Sequence, residues 1–253
     1  MDLIRGTWVD AREASTRLKV SLLPIGSVEN HGPHLPLGTD LFTAEHIARE
    51  AAKSGDFVLL PAIPVGLSAE HRQFPGTLWV RRRVLTQYVL ETIRSLASHG
   101  LRRVVLVNGH GGNTDALEDV CRSLREECIY AFVYQWWSAI RETIKRVCIE
   151  SPDHAGDMET SAVLHIDPEH VRRERIAEAE SEGATSWGRR IHGVSVGFDA
   201  IDFTRSGSTG KPSAATPEKG QRLMDAAISK LKAFGCWLSE QEDEALAARS
   251  RVS

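Results

Sequence analysis

Residues 103–113 read Arg103-Val104-Val105-Leu106-Val107-Asn108-Gly109-His110-Gly111-Gly112-Asn113. The valine-rich apolar run predicts a buried strand over Arg103–Val107. Its abrupt change to glycine and polar residues predicts a turn. Beyond it, Thr114–Glu127 carries apolar residues at three- and four-residue intervals and predicts a helix. Strand, turn and helix form a βα unit, and the same alternation recurs outward in both directions. Further strands are predicted at Lys19–Pro24, Phe57–Pro61 and Ile129–Tyr134, and helices at Phe42–Lys53, Val84–His99 and Gly156–Ile166. A last helix takes Thr216 as N-cap and Pro217 at its first position, then runs toward Leu238. The fold class that follows is α/β, a three-layer α/β/α arrangement with a mostly parallel central sheet.

At 253 residues the chain suits one large domain, expected over residues 1–240, with a polar, fraying tail at 241–253. Glu178–Gly210 is rich in Gly, Ser and Thr and is expected to form long loops with one hairpin that could cover a site. A formal charge of −3 supplies no positive field for phosphate backbones, so nucleic acid is not an expected partner. The N-terminus lacks the apolar run of an export signal, and no stretch matches a bilayer span, so no membrane partner is expected. Cys121, Cys128, Cys148 and Cys236 form no CxxC pair, consistent with free thiols and a cytoplasmic location.

Polar residues gather where strands should end. After the first strand comes Gly26-Ser27-Val28-Glu29-Asn30-His31-Gly32-Pro33-His34-Leu35-Pro36-Leu37-Gly38-Thr39-Asp40. In extended backbone Glu29 and His31 point the same way, which suits metal ligation; a solvated surface pair is the plainer alternative. Asp40 or Thr39 equally fits a cap for a helix starting at Leu41, and His34 fits a hydrogen bond within its own loop. His110 lies beyond the carboxyl end of its strand, where open α/β sheets bind ligands, or it simply fills a tight turn. A third cluster is Asp153-His154-Ala155-Gly156-Asp157-Met158-Glu159. On a helix Glu159 shares the face of Ala162, Val163 and Ile166, so its carboxylate needs a compensating cation unless it sits exposed in the first turn. Asp153 beside His154 suggests an oriented imidazole that moves protons, or a helix cap. There is no P-loop, no dinucleotide fingerprint and no GxSxG elbow.

These clusters together resemble the creatininase (creatinine amidohydrolase) family. The resemblance rests on GSVENHGPHLPLGTD at 26–40, GLSAEHRQFPGTL at 66–78, VNGHGGN at 107–113 and HAGDMETS at 154–161, with a looser match at 210–220. It implies a three-layer α/β/α fold, a homo-oligomer, often a hexamer, and one or two divalent metal ions per subunit. It further implies Glu29, His31, Asp40 and His110 as ligands, with Asp40 bridging two ions. Creatininase proper carries a carboxylate ligand two residues after the histidine matching His110, where this chain has Gly112; Glu159 is then expected to complete the second site. Lys211 likewise replaces an acid that many members carry before Pro212.

Two imidazoles with two or three carboxylates suit Zn²⁺ first, with Mn²⁺ or Fe²⁺ as alternatives. The expected activity is hydrolysis of a non-peptide amide C–N bond in a small molecule, a cyclic amide or a formamide, by a hydroxide held between metals. His154, oriented by Asp153, is the expected proton donor to the leaving nitrogen. The alternatives are a family peptidase acting on a peptide-derived cofactor precursor and a non-catalytic small-molecule-binding protein. His71 is expected in a loop near the site or in a surface turn. One of Trp136 and Trp137 would stack on a flat substrate while the other packs inside. Arg81-Arg82-Arg83 is expected as a solvated face, of interest only for a phosphorylated substrate.

Overall fold

The computed structural model describes residues 1–149 and 154–249. Four strands, β1 (Val20–Ile25), β2 (Phe57–Leu59), β3 (Arg103–Asn108) and β4 (Tyr130–Gln135), form a parallel sheet in the order β2-β1-β3-β4. In chain order the helices are α1 (Trp8–Arg17), α2 (Thr39–Ala52), α3 (Arg82–Ala97), α4 (Thr114–Glu126), α5 (Trp136–Ala139), α6 (Arg141–Val147), α7 (Asp157–Ile166), α8 (Ile176–Ser181), α9 (Pro217–Glu240) and α10 (Asp243–Leu246). The predicted strands and long helices are present within a few residues, whereas α1, α5, α6, α8 and α10 have no counterpart in the prediction.

Every residue of β1 and β3 is buried, as expected of central parallel strands covered on both sides. The two-residue pleat sorts them. Val20, Leu22, Val105 and Val107 pack with Ile47 of α2, Met158 and Ala162 of α7, and Leu223 and Ala227 of α9. Leu23, Ile25, Val104 and Leu106 face Leu85 and Ile93 of α3, Leu117 and Val120 of α4, and Ala14 of α1. Register pairs Leu22 with Val105 and Leu23 with Leu106, so each apolar layer continues across the sheet. Helices therefore cover both faces. Arg103 at the start of β3 is buried because its guanidinium donates to the Leu238 carbonyl (2.9 Å) and pairs with Asp243 (2.7 Å), joining α9 and α10 to the sheet.

From β1 the chain moves to one side for β2 and then crosses back past β1 for β3. The reversal opens a crevice between the carboxyl ends of β1 and β3, the place where doubly wound sheets bind ligands. Within the stretch expected as a polar tail, α10 docks through buried Leu246, whose carbonyl accepts from Arg125 at 2.8 Å. In the loop-rich stretch, Arg190–Ile191 and Val194–Ser195 form an antiparallel hairpin, β5 and β6. No helix among the described residues is long and apolar enough to cross a membrane.

Candidate metal centre

The loop after β1 closes on itself through Glu29 N–H donating to the Leu37 carbonyl (2.9 Å), and Glu29 and His31 are both buried. They are not a surface pair. Helix α2 begins at Thr39 with Gly38 as N-cap and no side-chain capping bond, which frees the buried Asp40 carboxylate from the capping role. His34 is a brace to another element instead of its own loop: its Nε2 lies 2.8 Å from Thr160 Oγ1 of α7. Burial lowers the His34 pKa to about 4, keeping the ring neutral.

Two sets of donors that share Asp40 converge. In the first, His110 Nδ1 lies 3.1 Å from Glu29 Oε2 and 3.2 Å from Asp40 Oδ2. The opposite ring nitrogen, Nε2, donates to the Leu67 carbonyl at 2.8 Å, so Nδ1 of the neutral ring presents a lone pair to two carboxylate oxygens. Glu29 Oε2 and Asp40 Oδ2 are buried with no hydrogen-bond partner among the described residues. In the second set, His31 Nε2 lies 3.1 Å from Asp40 Oδ1 and 3.6 Å from Glu159 Oε2. His31 Nδ1 donates to the Glu29 carbonyl (3.2 Å), which again turns the lone pair inward. In each set three donor atoms lie within 4.8 Å of one another, close enough for one cation to touch them all. Asp40 offers one oxygen to each.

Without a cation, a proton takes its place. Burial opposes charge on His110, yet the adjoining Glu29 and Asp40 carboxylates outweigh it and hold the ring well above its ordinary pKa. For His31, burial is likewise outweighed by Asp40, Glu159 and Glu29, which raise it to about 10. Burial raises the Glu29 carboxyl, but His110, His31 and His71 together draw it well below the usual carboxylate range. Neutral imidazoles and carboxylates around a buried centre fit a divalent ion of the zinc, manganese or iron type.

Helix α7 carries Glu159 in its first turn, and the carboxylate folds back to accept from Ala155 N–H at 2.6 Å. It faces His31, not water. His154 stands beside the second set, its ring centroid 4.4 Å from that of His31 and 4.7 Å from that of His71. Its Nε2 donates to the Asn30 carbonyl at 2.7 Å, leaving Nδ1 toward Glu29 Oε1 at 4.0 Å. Burial and the neighbouring His31 and His71 push its pKa well down. Asp153 lies outside the described residues, and the orienting partner seen for His154 is the Asn30 carbonyl. Within the stretch expected as long loops, Ser206–Gly210 braces this segment: Thr209 N–H donates to the His154 carbonyl (2.7 Å) and Thr209 Oγ1 accepts from His154 N–H (2.9 Å).

A pocket of about 470 Å³ opens onto both donor sets and is lined also by Glu70, His71, Gly112, Trp137, Met158 and Trp187. His71 is buried, 3.5 Å from Glu29 Oε1, and burial lowers its pKa to about 4. The adjacent Glu70, on the turn after β2, went unmarked in the sequence, although its place beside His71 in a strand-end loop was the available signal. Trp187 had no such signal. It comes from the loop before β5 and packs on His71 and His154 with centroids 5.3 and 5.1 Å away. Trp136 is the core tryptophan and Trp137 the pocket one.

A family model described as creatinine amidohydrolase matches residues 5–234. The chain belongs to the creatininase family. Among creatininase-family relatives, the mycofactocin precursor peptide peptidase of Mycobacterium tuberculosis (strain ATCC 25618 / H37Rv) is 34% identical over 219 residues, covering 82% of this chain and 80% of the relative. The creatinine amidohydrolase of Pseudomonas putida is 29% identical over 178 residues, 63% of this chain and 68% of the relative. A 2-amino-5-formylamino-6-ribosylaminopyrimidin-4(3H)-one 5'-monophosphate deformylase of Methanothermobacter thermautotrophicus (strain Delta H) is 35% identical over 162 residues, 61% and 62% of the two chains. A solved manganese creatininase superposes with TM-score 0.81 at 23% identity, over 95% of this chain and 99% of that one. The creatininase fold, with its parallel sheet between two helix layers, is thus shared by this chain.

Proposed function

We propose that this creatininase-family chain is a hydrolase that uses two divalent cations to cleave an amide C–N bond of a small molecule, a cyclic amide or a formamide. One observation carries the reading: two buried carboxylate oxygens, on Glu29 and Asp40, face the lone pair of His110 Nδ1 with no donor between them. Only a cation, or a proton in its absence, relieves that arrangement. Glu29, Asp40 and His110 would hold one ion, and His31, Asp40 and Glu159 the other. Bound there, such ions supply Lewis acidity toward a carbonyl oxygen and lower the pKa of water.

The chain's own residues do the rest. His154 Nδ1, the nitrogen left open by the bond to Asn30, takes a proton from the attacking water and returns it to the departing nitrogen. Water and amide are consumed, a carboxylate and a protonated amine are released, and the imidazole ends as it began. Trp137 and Trp187 wall the pocket and hold a flat substrate away from bulk water.

A second reading has its own support. The mycofactocin precursor peptide peptidase matches at 34% identity over 82% of this chain, against 29% over 63% for the creatinine amidohydrolase and 35% over 61% for the Methanothermobacter thermautotrophicus deformylase. A peptidyl amide uses the same donors. The deciding experiment reconstitutes the full chain with zinc or manganese and follows amine release from cyclic amides, N-formyl heterocycles and short peptides. Wild type and His154→Ala should bind equal metal, with turnover of the variant lowered on the order of 10²–10⁴-fold. His31→Ala should lose stoichiometric metal. Activity that survives complete chelation would sink both readings.

A further inference from the structure

Glu70 is the pocket carboxylate that the two donor sets leave out. Its side chain is about one-third exposed, and its nearest positively charged candidate is His110, with Nε2 3.8 Å from Glu70 Oε1. That nitrogen's hydrogen already goes to the Leu67 carbonyl. Arg72, two residues along the chain, is turned away and places its guanidinium on Asp199 at 2.7 and 2.5 Å. Among the described residues no lysine or arginine lines the pocket, and Arg81, Arg82 and Arg83 lie outside its lining. Gly112 lets the backbone pass close to the acid, since a Cβ built there would approach Glu70 Oε1 to 3.2 Å. The indoles of Trp137 and Trp187 form other walls of the same space.

A partly buried carboxylate with no lysine or arginine paired to it among the described residues, in a pocket that two tryptophans also line, matches a positively charged nitrogen in two ways. The acid accepts a charge-assisted hydrogen bond, and the indole faces attract the cation. A neutral substituent at the same place gains neither interaction. We propose that Glu70 is a specificity-determining residue that receives a protonated nitrogen of the substrate, so that the pocket selects cationic amides over neutral ones. This deepens the hydrolase reading and rests on it for the identity of the occupant as an amide.

The test uses the zinc-loaded full chain and three matched amides: para-(aminomethyl)benzamide, para-methylbenzamide and para-(phosphonooxymethyl)benzamide. Calorimetry should show the ammonium compound binding about tenfold more tightly than the methyl compound. In Glu70→Gln the ammonium-to-methyl ratio should fall to about one at unchanged zinc content. Glu70→Lys should shift preference toward the phosphate compound. Equal binding of the ammonium and methyl compounds by wild type, or a ratio indifferent to Glu70→Gln, would overturn the assignment. Amine release separates the two levels. Hydrolysis without the preference refutes the role of Glu70 alone, whereas the preference without hydrolysis of any amide refutes the hydrolase reading and leaves the cation site standing.

Discussion

His110 and Leu67 are joined by a hydrogen bond of 2.8 Å from Nε2 to a backbone carbonyl, and this bond decides which ring nitrogen faces the carboxylates. The contact is crowded. A Cβ on Gly112 would lie 2.5 Å from both His110 Nε2 and the Leu67 oxygen. Gly112→Ala is therefore expected to rotate the imidazole and weaken zinc binding about 10–100-fold, the usual cost of losing an outer support of a ligand. Competition with a fluorescent chelator measures it, and wild-type affinity in the variant would refute the geometry.

Charge on His31 makes the metal-free protein sensitive to pH. The folded pKa of about 10 lies above the ordinary value of 6.5, so its stabilisation is complete below about pH 6.5 and fades as pH climbs toward about 10. A zinc ion needs the same Nε2 lone pair and displaces the proton. The urea midpoint of metal-free protein should fall over that range while the zinc-loaded midpoint stays flatter. Zinc titration near pH 8, in two buffers of different ionisation enthalpy, should report proton release. Proton uptake, or none, would contradict the arrangement.

Trp187 is half exposed yet seals His71 and His154 from one side. Replacing it with alanine should lower kcat/KM for any amide the enzyme cleaves by about tenfold, equivalent to about 1.4 kcal/mol of transition-state binding, while metal content holds. A parallel loss of metal would assign Trp187 a structural role instead.

Gly220 in α9 admits the close crossing of α7, because a Cβ there would overlap the Ser161 carbonyl. Gly220→Ala should destabilise the fold by about 1–3 kcal/mol through overpacking. Since α7 carries Glu159, zinc affinity should fall as well. Urea unfolding of the zinc-free and zinc-loaded forms separates the two effects, and an unchanged midpoint in both would show that the helices can part without cost.

Local pattern was enough to read the layers. Continuous apolar runs at β1 and β3 followed by amphipathic helices could bury themselves only in a parallel sheet covered on both faces, and the polar loops at their carboxyl ends marked the site. Glu29 and His31 were legible because two-residue spacing aims side chains together. Helix α1 was not, since only Ala14 among its ten residues is fully buried and its sequence is correspondingly poor in large apolar side chains.

What the sequence determined by itself was the α/β class and a set of oxygen and nitrogen donors near strand ends, because both depend on neighbours along the chain. Tertiary structure alone decided the rest: that Asp40 turns from helix cap to the acid shared by His31 and His110, that Glu159 reaches His31 across 128 positions, and that Glu70 and Trp187 border one cavity. Such meetings follow from the sheet order and from packing between distant segments, which no local periodicity encodes.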